Sequence, residues 1–418
     1  MNKKNNNRKQ RKEEKEKVNK ISDVKMAYIM YGKKVFVIPI VIAIILGAVI
    51  WGIVYNTRKN NTPQENADNQ KEQINYIWGE IKPGKKNTNN YTMVTSSDGI
   101  QVPVPTGYTA SSASDENSVN GGFVIYEGTE TVTDSNKWDA QCNRNQYVWI
   151  PIADVSDMYW RDQTTGKKYG TYYNFTESAY TKGANRSYEP QTTIRDIQST
   201  YLTQYLNGMT REDFLMEMEI DFDKMLNSVA TYGGYYIGRY QAGDLSQATP
   251  VVKRINSDIH SQTWYTMWKK SPRISTGGAN VHMIWGIQWD ETLKWLIDTG
   301  EKTYAEIGYD STSWGNYYNN SFTYYTNTSK STATKNSGTS TRIPSGAYEG
   351  ANANNVFDLA GNVWDWTLES YGSGTGSNRY FRGGYYGYYG LYPAEIRNYE
   401  DPSGSYDVVG LRCALYIK

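Results

Sequence analysis

The sequence predicts a mixed α+β domain carried on one membrane-spanning helix. Three observations predict it. Residues 35–55 form an uncharged apolar run, two further stretches have helical periodicity, and short apolar segments of strand length are separated by turns and long polar loops.

The anchor comes first. Residues 35–55 read VFVIPIVIAIILGAVIWGIVY, enough to cross a hydrocarbon core of about 30 Å. Backbone polar groups in that medium must be satisfied internally, so the segment must be helical. Pro39 falls in the first turns, where a missing N–H does little harm. Trp51 and Tyr55 suit the far interface. Residues 1–34 hold twelve Lys/Arg and four Asp/Glu, a balance of +8, whereas only Arg58 and Lys59 follow closely on the other side. This asymmetry predicts a cytoplasmic N-terminus and an extracellular C-terminal domain in a single-pass cell-membrane protein. The competing reading is a cleaved signal peptide; the length of the run and the lack of an A-x-A site after it speak against that.

Composition bounds the partners. The whole chain is +1, which leaves −7 for residues 35–418. A mildly acidic outer domain without a basic stripe argues against nucleic acid. There are 38 Tyr and 13 Trp against 8 Phe. Tyr combines a large face, a polar tip and few rotatable bonds, which suits adaptable binding surfaces; strand propensity is the alternative reason for its abundance. Two cysteines, Cys142 and Cys413, could pair in an oxidising exterior, but sequence does not show that they meet. Two histidines without HExxH or other ligand spacing exclude an ordinary zinc centre or His-based triad.

Along the chain, residues 56–95 read as a flexible stalk and 96–418 as the outer domain. Segments 121–126 (GGFVIY) and 147–152 (YVWIPI) read as strands, and 160–209 as irregular. Thr210 is the predicted cap of a helix carrying Phe214, Leu215, Met218, Phe222, Met225, Leu226 and Val229 on one stripe, ended by Gly233. A strand at 235–240 follows, then a second helix near 289–299 ended by Gly300, then surface loops over 301–350.

The last 65 residues carry three blocks in order: NVFDLAGNVWDWT at 355–367, Arg382-Gly383-Gly384, and GLRCA at 410–414. This order resembles the formylglycine-generating-enzyme (sulfatase-modifying factor) family. Looser likenesses upstream, GGYYIGRYQAG at 233–243 and Trp264, extend it over roughly 145–418. The resemblance implies a C-type-lectin-like fold of the sulfatase-modifying-factor variety. Read physically, Gly361, Gly383 and Gly384 suit positive φ or close backbone approach. Trp364 and Trp366 share one face of an extended chain, and Arg382 and Arg412 can pin several carbonyls.

The aerobic enzymes of that family bind copper and attack substrate through two cysteines just after the RGG-equivalent block. Here those places hold Tyr388 and Pro393, so no copper and no formylglycine synthesis are expected. Two histidines cannot build the iron site of a second family branch. The family's calcium turn maps onto Asn362, Val363 through its carbonyl, and Asp365, all hard oxygen donors; a loop held by Asn and Asp hydrogen bonds is the alternative.

Eight tyrosines lie between 380 and 406. A core does not need that density, since each buried hydroxyl must find a partner. The candidate ligand contacts are Tyr386, Tyr388, Tyr389, Tyr392, Asn398, Tyr399, Ser405, Tyr406 and Asp407. A Tyr-rich C-terminal stretch on such a domain also resembles the variable proteins of diversity-generating retroelements. The expected function is a membrane-anchored, non-catalytic surface protein that binds an extracellular protein or glycan. A divergent formylglycine-generating-type enzyme and a structural envelope or phage-derived protein are the alternatives.

Overall fold

In the computed structural model, residues 80–186, 204–206, 208–371 and 378–418 are described. They belong to one compact unit, Ile74–Lys418. The basic tail, the apolar run at 35–55 and the stalk as far as 79 lie outside the described residues. Among the described residues no helix is long and apolar enough to cross a membrane.

The fold is mixed α+β. Its centre is a six-stranded antiparallel sheet in the order Ala279–Met283, Cys413–Ile417, Gly234–Gly238, Gln146–Pro151, Val124–Glu127, Tyr108–Ala110. The C-terminal strand therefore sits inside the sheet, with Met283 opposite Cys413 and Ile237 opposite Ala414. Both expected strands, 121–126 and 147–152, exist, with the first starting three residues later.

The long helix, Arg211–Tyr232, begins as its sequence predicts: Thr210 Oγ1 accepts the Asp213 N–H at 3.0 Å. Gly233 closes it at φ +83°, a conformation that favours glycine. Phe214, Met218, Phe222, Met225, Leu226 and Val229 are all buried, and Ser228 Oγ donates to the Ile417 carbonyl at 2.9 Å, fastening the helix to the central sheet. The second helix, Gly286–Asp298, is enclosed nearly all round. Tyr235 reaches it from the sheet, its hydroxyl bonding the Gln288 carbonyl and Thr292.

Three expectations need correction. Residues 160–209 are not simply irregular: Tyr159–Arg161, Lys168–Phe175 and Tyr180–Arg186 form a three-stranded sheet. What holds it is remote in sequence. The Tyr173 N–H donates to Asp290 at 2.9 Å, and Lys168 pairs with Asp223 at 2.8 Å, both on helices. The expected stalk also ends earlier, because Tyr91–Thr95 is a strand paired with Gln101–Pro105. Within 301–350, a short helix, Tyr304–Gly308, and a hairpin, Phe322–Tyr325 with Thr332–Lys335, interrupt the loops.

A second sheet carries the C-terminal motifs, in the order Arg397–Glu400, Arg379–Arg382, Trp364–Ser370, Val409–Leu411. Trp364 and Trp366 are both buried, and both rings pack against Phe381. Arg412, fully buried, joins four segments. Its Nε donates to Asp365 at 3.1 Å, one terminal nitrogen to the Gly238 carbonyl at 2.9 Å, and the other to the carbonyls of Phe357 at 2.8 Å and Asp358 at 3.1 Å. Arg239 plays a similar part towards the N-terminal strands, donating to Glu116 at 2.6 Å, Tyr126, Gln146 and Asn355.

Arg412→Met should destabilise the chain by roughly 3–5 kcal/mol, because it strands a buried Asp365 carboxylate and three carbonyls. Urea denaturation measures it; a loss under about 1 kcal/mol contradicts this account of the core. Glu291 supplies a second test. Burial pushes its carboxyl from about 4.5 up to about 7, with the Tyr173 hydroxyl partly offsetting. The native state holds that proton after the unfolded chain has released it. The stability Glu291 contributes is therefore whole below about 4.5 and is lost as pH rises through about 7. Glu291→Gln should flatten this fall in urea midpoints over the same interval.

Candidate functional site

The antiparallel strands Arg379–Arg382 and Arg397–Glu400 are joined by residues 383–396, which contain most of the tyrosine-rich segment. The connection is too long for a tight turn, so its shape comes from what it is tied to. Gly383 and Gly384 turn the chain at φ +91° and +77°; a Cβ on Gly384 would lie 2.7 Å from the Tyr392 carbonyl. The buried Tyr317 hydroxyl lies 3.0 Å from the Gly383 carbonyl and 2.9 Å from that of Tyr392, joining the two ends of the segment. Between them, the Tyr386 N–H donates to the Asn362 carbonyl (2.9 Å), Tyr318 N–H to the Tyr388 carbonyl (2.7 Å), and Ser311 N–H to the Gly390 carbonyl (2.9 Å). Asn319 Oδ1 accepts the Gly390 N–H at 3.1 Å. The backbone is thus held along residues 311–319 and at Asn362.

The side chains divide into two kinds. Tyr389, Leu391 and Tyr392 are 53%, 56% and 45% exposed. Tyr389 meets Tyr318 edge-on at 5.5 Å, and Tyr309 is exposed on the same anchoring stretch. The hydroxyls of Tyr386, Tyr388, Tyr389 and Tyr392 have no hydrogen-bond partner among the described residues. Tyr385, Tyr386 and Tyr388 are half-buried. Tyr388 stands edge-on to the core Trp364 at 6.0 Å and packs against Tyr385 at 4.5 Å and Tyr392 at 4.3 Å. Tyr388, expected as a free ligand contact, is therefore partly a packing residue, because the 385–388 turn folds its ring back onto Trp364.

The remaining candidates lie elsewhere on the second sheet and its connection. Tyr399 is stacked on Tyr371 at 3.6 Å, and its N–H is taken by Asn398 Oδ1 at 2.9 Å. Tyr406 is half-buried against Trp366, and Ser405 Oγ donates to the Ser261 carbonyl. Asp407 is exposed. Sequence reasoning missed Tyr318 and Leu391; Tyr318 joins the segment only through contacts about 70 residues away in the chain.

The turn expected to hold calcium is tied into the fold by internal hydrogen bonds. Asn362 adopts φ +62° and is fully buried. Its Oδ1 accepts from Asn316 Nδ2 and the Ile343 N–H, both at 3.1 Å, and its Nδ2 donates to Gln241 at 2.9 Å. The Val363 carbonyl accepts from Gln241 Nε2 at 2.7 Å, and Asp365 faces the Arg412 guanidinium. Only Asp365 Oδ1 is left without a partner. N–H groups and a fixed cation already engage these oxygens apart from Asp365 Oδ1, a poor fit to an ion that needs several free oxygen ligands. The cysteines are both free. Burial, then the Asp365 carboxylate, pushes the fully buried Cys413 thiol far above its usual range; burial also raises Cys142, with Arg254 opposing.

No curated protein matches the chain in sequence. Two solved structures are similar to part of it. One, described as CarF, is 13% identical over 44% of this chain and 87% of its own, with a TM-score of 0.28. The other, variable protein 1 of Treponema denticola, is 18% identical over 32% of this chain, with a TM-score of 0.22; the match spans 48% of that protein's length. The model of the sulfatase-modifying factor enzyme 1-like domain matches residues 289–417. That span contains the Gly-Asn turn, the Arg-Gly-Gly block, the tyrosine-rich segment and Arg412, and over it the chain is similar to this family's domain.

Proposed function

We propose that this protein is a membrane-anchored, non-catalytic surface protein whose lectin-like outer domain binds an extracellular protein or glycan through the tyrosine-rich loop. One observation carries the reading: the loop's backbone is tied at Tyr317, Tyr318, Ser311, Asn319 and Asn362, while Tyr389 and Tyr392 project with unpartnered hydroxyls. A preorganised backbone with outward amphipathic rings loses little entropy on binding, which is the condition for affinity from a small surface. The same division suits a diversified face, since the rings can change without disturbing the carbonyl anchors. Absence of catalysis is supported by the thiols: a buried, hard-to-ionise Cys413 is a poor nucleophile and a poor copper ligand. The anchor is supported by the uncharged run at 35–55 and the +8 tail before it.

Two measurements test this. Tyr389→Ala with Tyr392→Ala should weaken attachment of the chain to its target cells or arrayed glycans by roughly 30-fold, since two exposed aromatic anchors are worth about 2 kcal/mol together. The melting temperature should stay within about 2 °C, because neither ring is core. Unchanged attachment, or a large loss of stability, removes the tyrosine face as the site. In expressing cells, alkaline carbonate should leave the chain in the membrane pellet, and protease added outside should release residues beyond the stalk. Recovery in the supernatant contradicts the anchor.

A further inference from the structure

The loop's surroundings carry a charge pattern that its tyrosines do not explain. Residues 304–320 and 385–409 together hold six carboxylates (Glu306, Asp310, Glu395, Glu400, Asp401, Asp407) and one basic side chain, Arg397. Arg397 is spent internally: it pairs with the fully buried Asp290 and lies 3.6 Å from both Glu369 and Glu395. Asp310, Glu400, Asp401 and Asp407 form no ion pair among the described residues. Arg342 approaches from a neighbouring segment, but it donates to the Asp407 carbonyl, not its carboxylate.

Two of these acids lie along the segment, Asp310 by the exposed end and Asp407 by Tyr385. Asp310 precedes Ser311, whose N–H holds the Gly390 carbonyl between Tyr389 and Leu391. Asp407 lies close to Tyr385: burial, the neighbouring tyrosines and this carboxylate together push the Tyr385 phenol upward. The face therefore joins aromatic rings to carboxylates that form no ion pair among the described residues, with Arg342 held on the Asp407 carbonyl. Ring faces attract ammonium and guanidinium groups, and desolvating unpaired carboxylates against a neutral or anionic partner would cost free energy without return. The acidic outer domain adds long-range attraction of the same sign.

Resting on the reading of this loop as a binding face, we propose that its partner is a protein segment rich in Lys and Arg, whose cationic groups lie over Tyr389 and Tyr392 and pair with Asp310 and Asp407. Such a contact is fast to form and sensitive to salt, because the carboxylates steer the approach while the rings hold the docked segment.

The test uses the full chain in detergent and two fluorescent peptides, one of alternating Lys, Arg and Gly, the other of Glu, Asp and Gly. The cationic peptide should bind, weaken by about tenfold or more between low salt and about 0.5 M salt, and weaken about tenfold in Asp310→Asn with Asp407→Asn. Asn keeps the Oδ1 that accepts the Thr312 N–H, so the loop should keep its shape. Tyr389→Ala with Tyr392→Ala should also lose the cationic peptide. Binding that is indifferent to salt or to the two Asn substitutions, or equal binding of the anionic peptide, overturns the proposal. So does capture of a neutral glycan that depends on the tyrosines but not on Asp310 and Asp407; that result leaves the binding face standing and removes only its cationic partner. No binding of the cationic peptide to the unaltered chain also overturns it.

Discussion

The buried guanidinium of Arg412 is the constraint on which the C-terminal half of this fold depends. Four short segments meet at it: the strand Gly234–Gly238, the turn at 357–358, the strand Trp364–Ser370 and the final strand. A guanidinium offers five donors in a rigid fork, so one side chain can satisfy the Asp365 carboxylate and three carbonyls that irregular backbone leaves without ladder partners. Arg239 ties the N-terminal strands differently, donating to the side-chain oxygens of Glu116, Tyr126, Gln146 and Asn355. A domain with short strands and long loops has many such orphan carbonyls, and buried arginines are its substitute for regular secondary structure.

The same economy governs the tyrosine-rich loop. Its carbonyls are taken by Tyr317, Tyr318, Ser311 and its own turns, so the side chains are relieved of holding it in place. Some rings still pack inward, and Tyr388 on Trp364 marks that boundary. Beyond it, Tyr389, Leu391 and Tyr392 face solvent, with Tyr389 against Tyr318 and Tyr392 against Tyr388 on one side only. The turn that resembles a calcium site shows the opposite state. Asn362, Val363 and Asp365 are engaged by Asn316, Gln241, Ile343 and Arg412, with only Asp365 Oδ1 left over.

Much of this was legible from local chemistry. Thr210 and Gly233 bound the long helix because a cap and a left-handed terminus are decisions made within one turn of chain. Trp364 and Trp366 face one way because residues two apart on a strand must. The three-stranded sheet at 159–186 was not legible, since its polar residues acquire partners, Asp223 and Asp290, only when the helices dock. Among the candidate contacts, nothing local separates Tyr388 from Tyr389; a turn and a tryptophan 24 positions earlier decide it.

What sequence alone determined was the ends of the long helix, the missing thiols after Arg-Gly-Gly and the charge balance of the outer domain. These follow from residue identity and near neighbours. Only the tertiary structure decided which tyrosines are exposed, that Tyr318 joins them, that the Gly-Asn turn is engaged by N–H donors, and that Arg397 is withdrawn from the surface. The physical reason is common to all four: each depends on which hydrogen-bond and ion-pair partners distant segments supply, and that supply is settled only when the chain has folded.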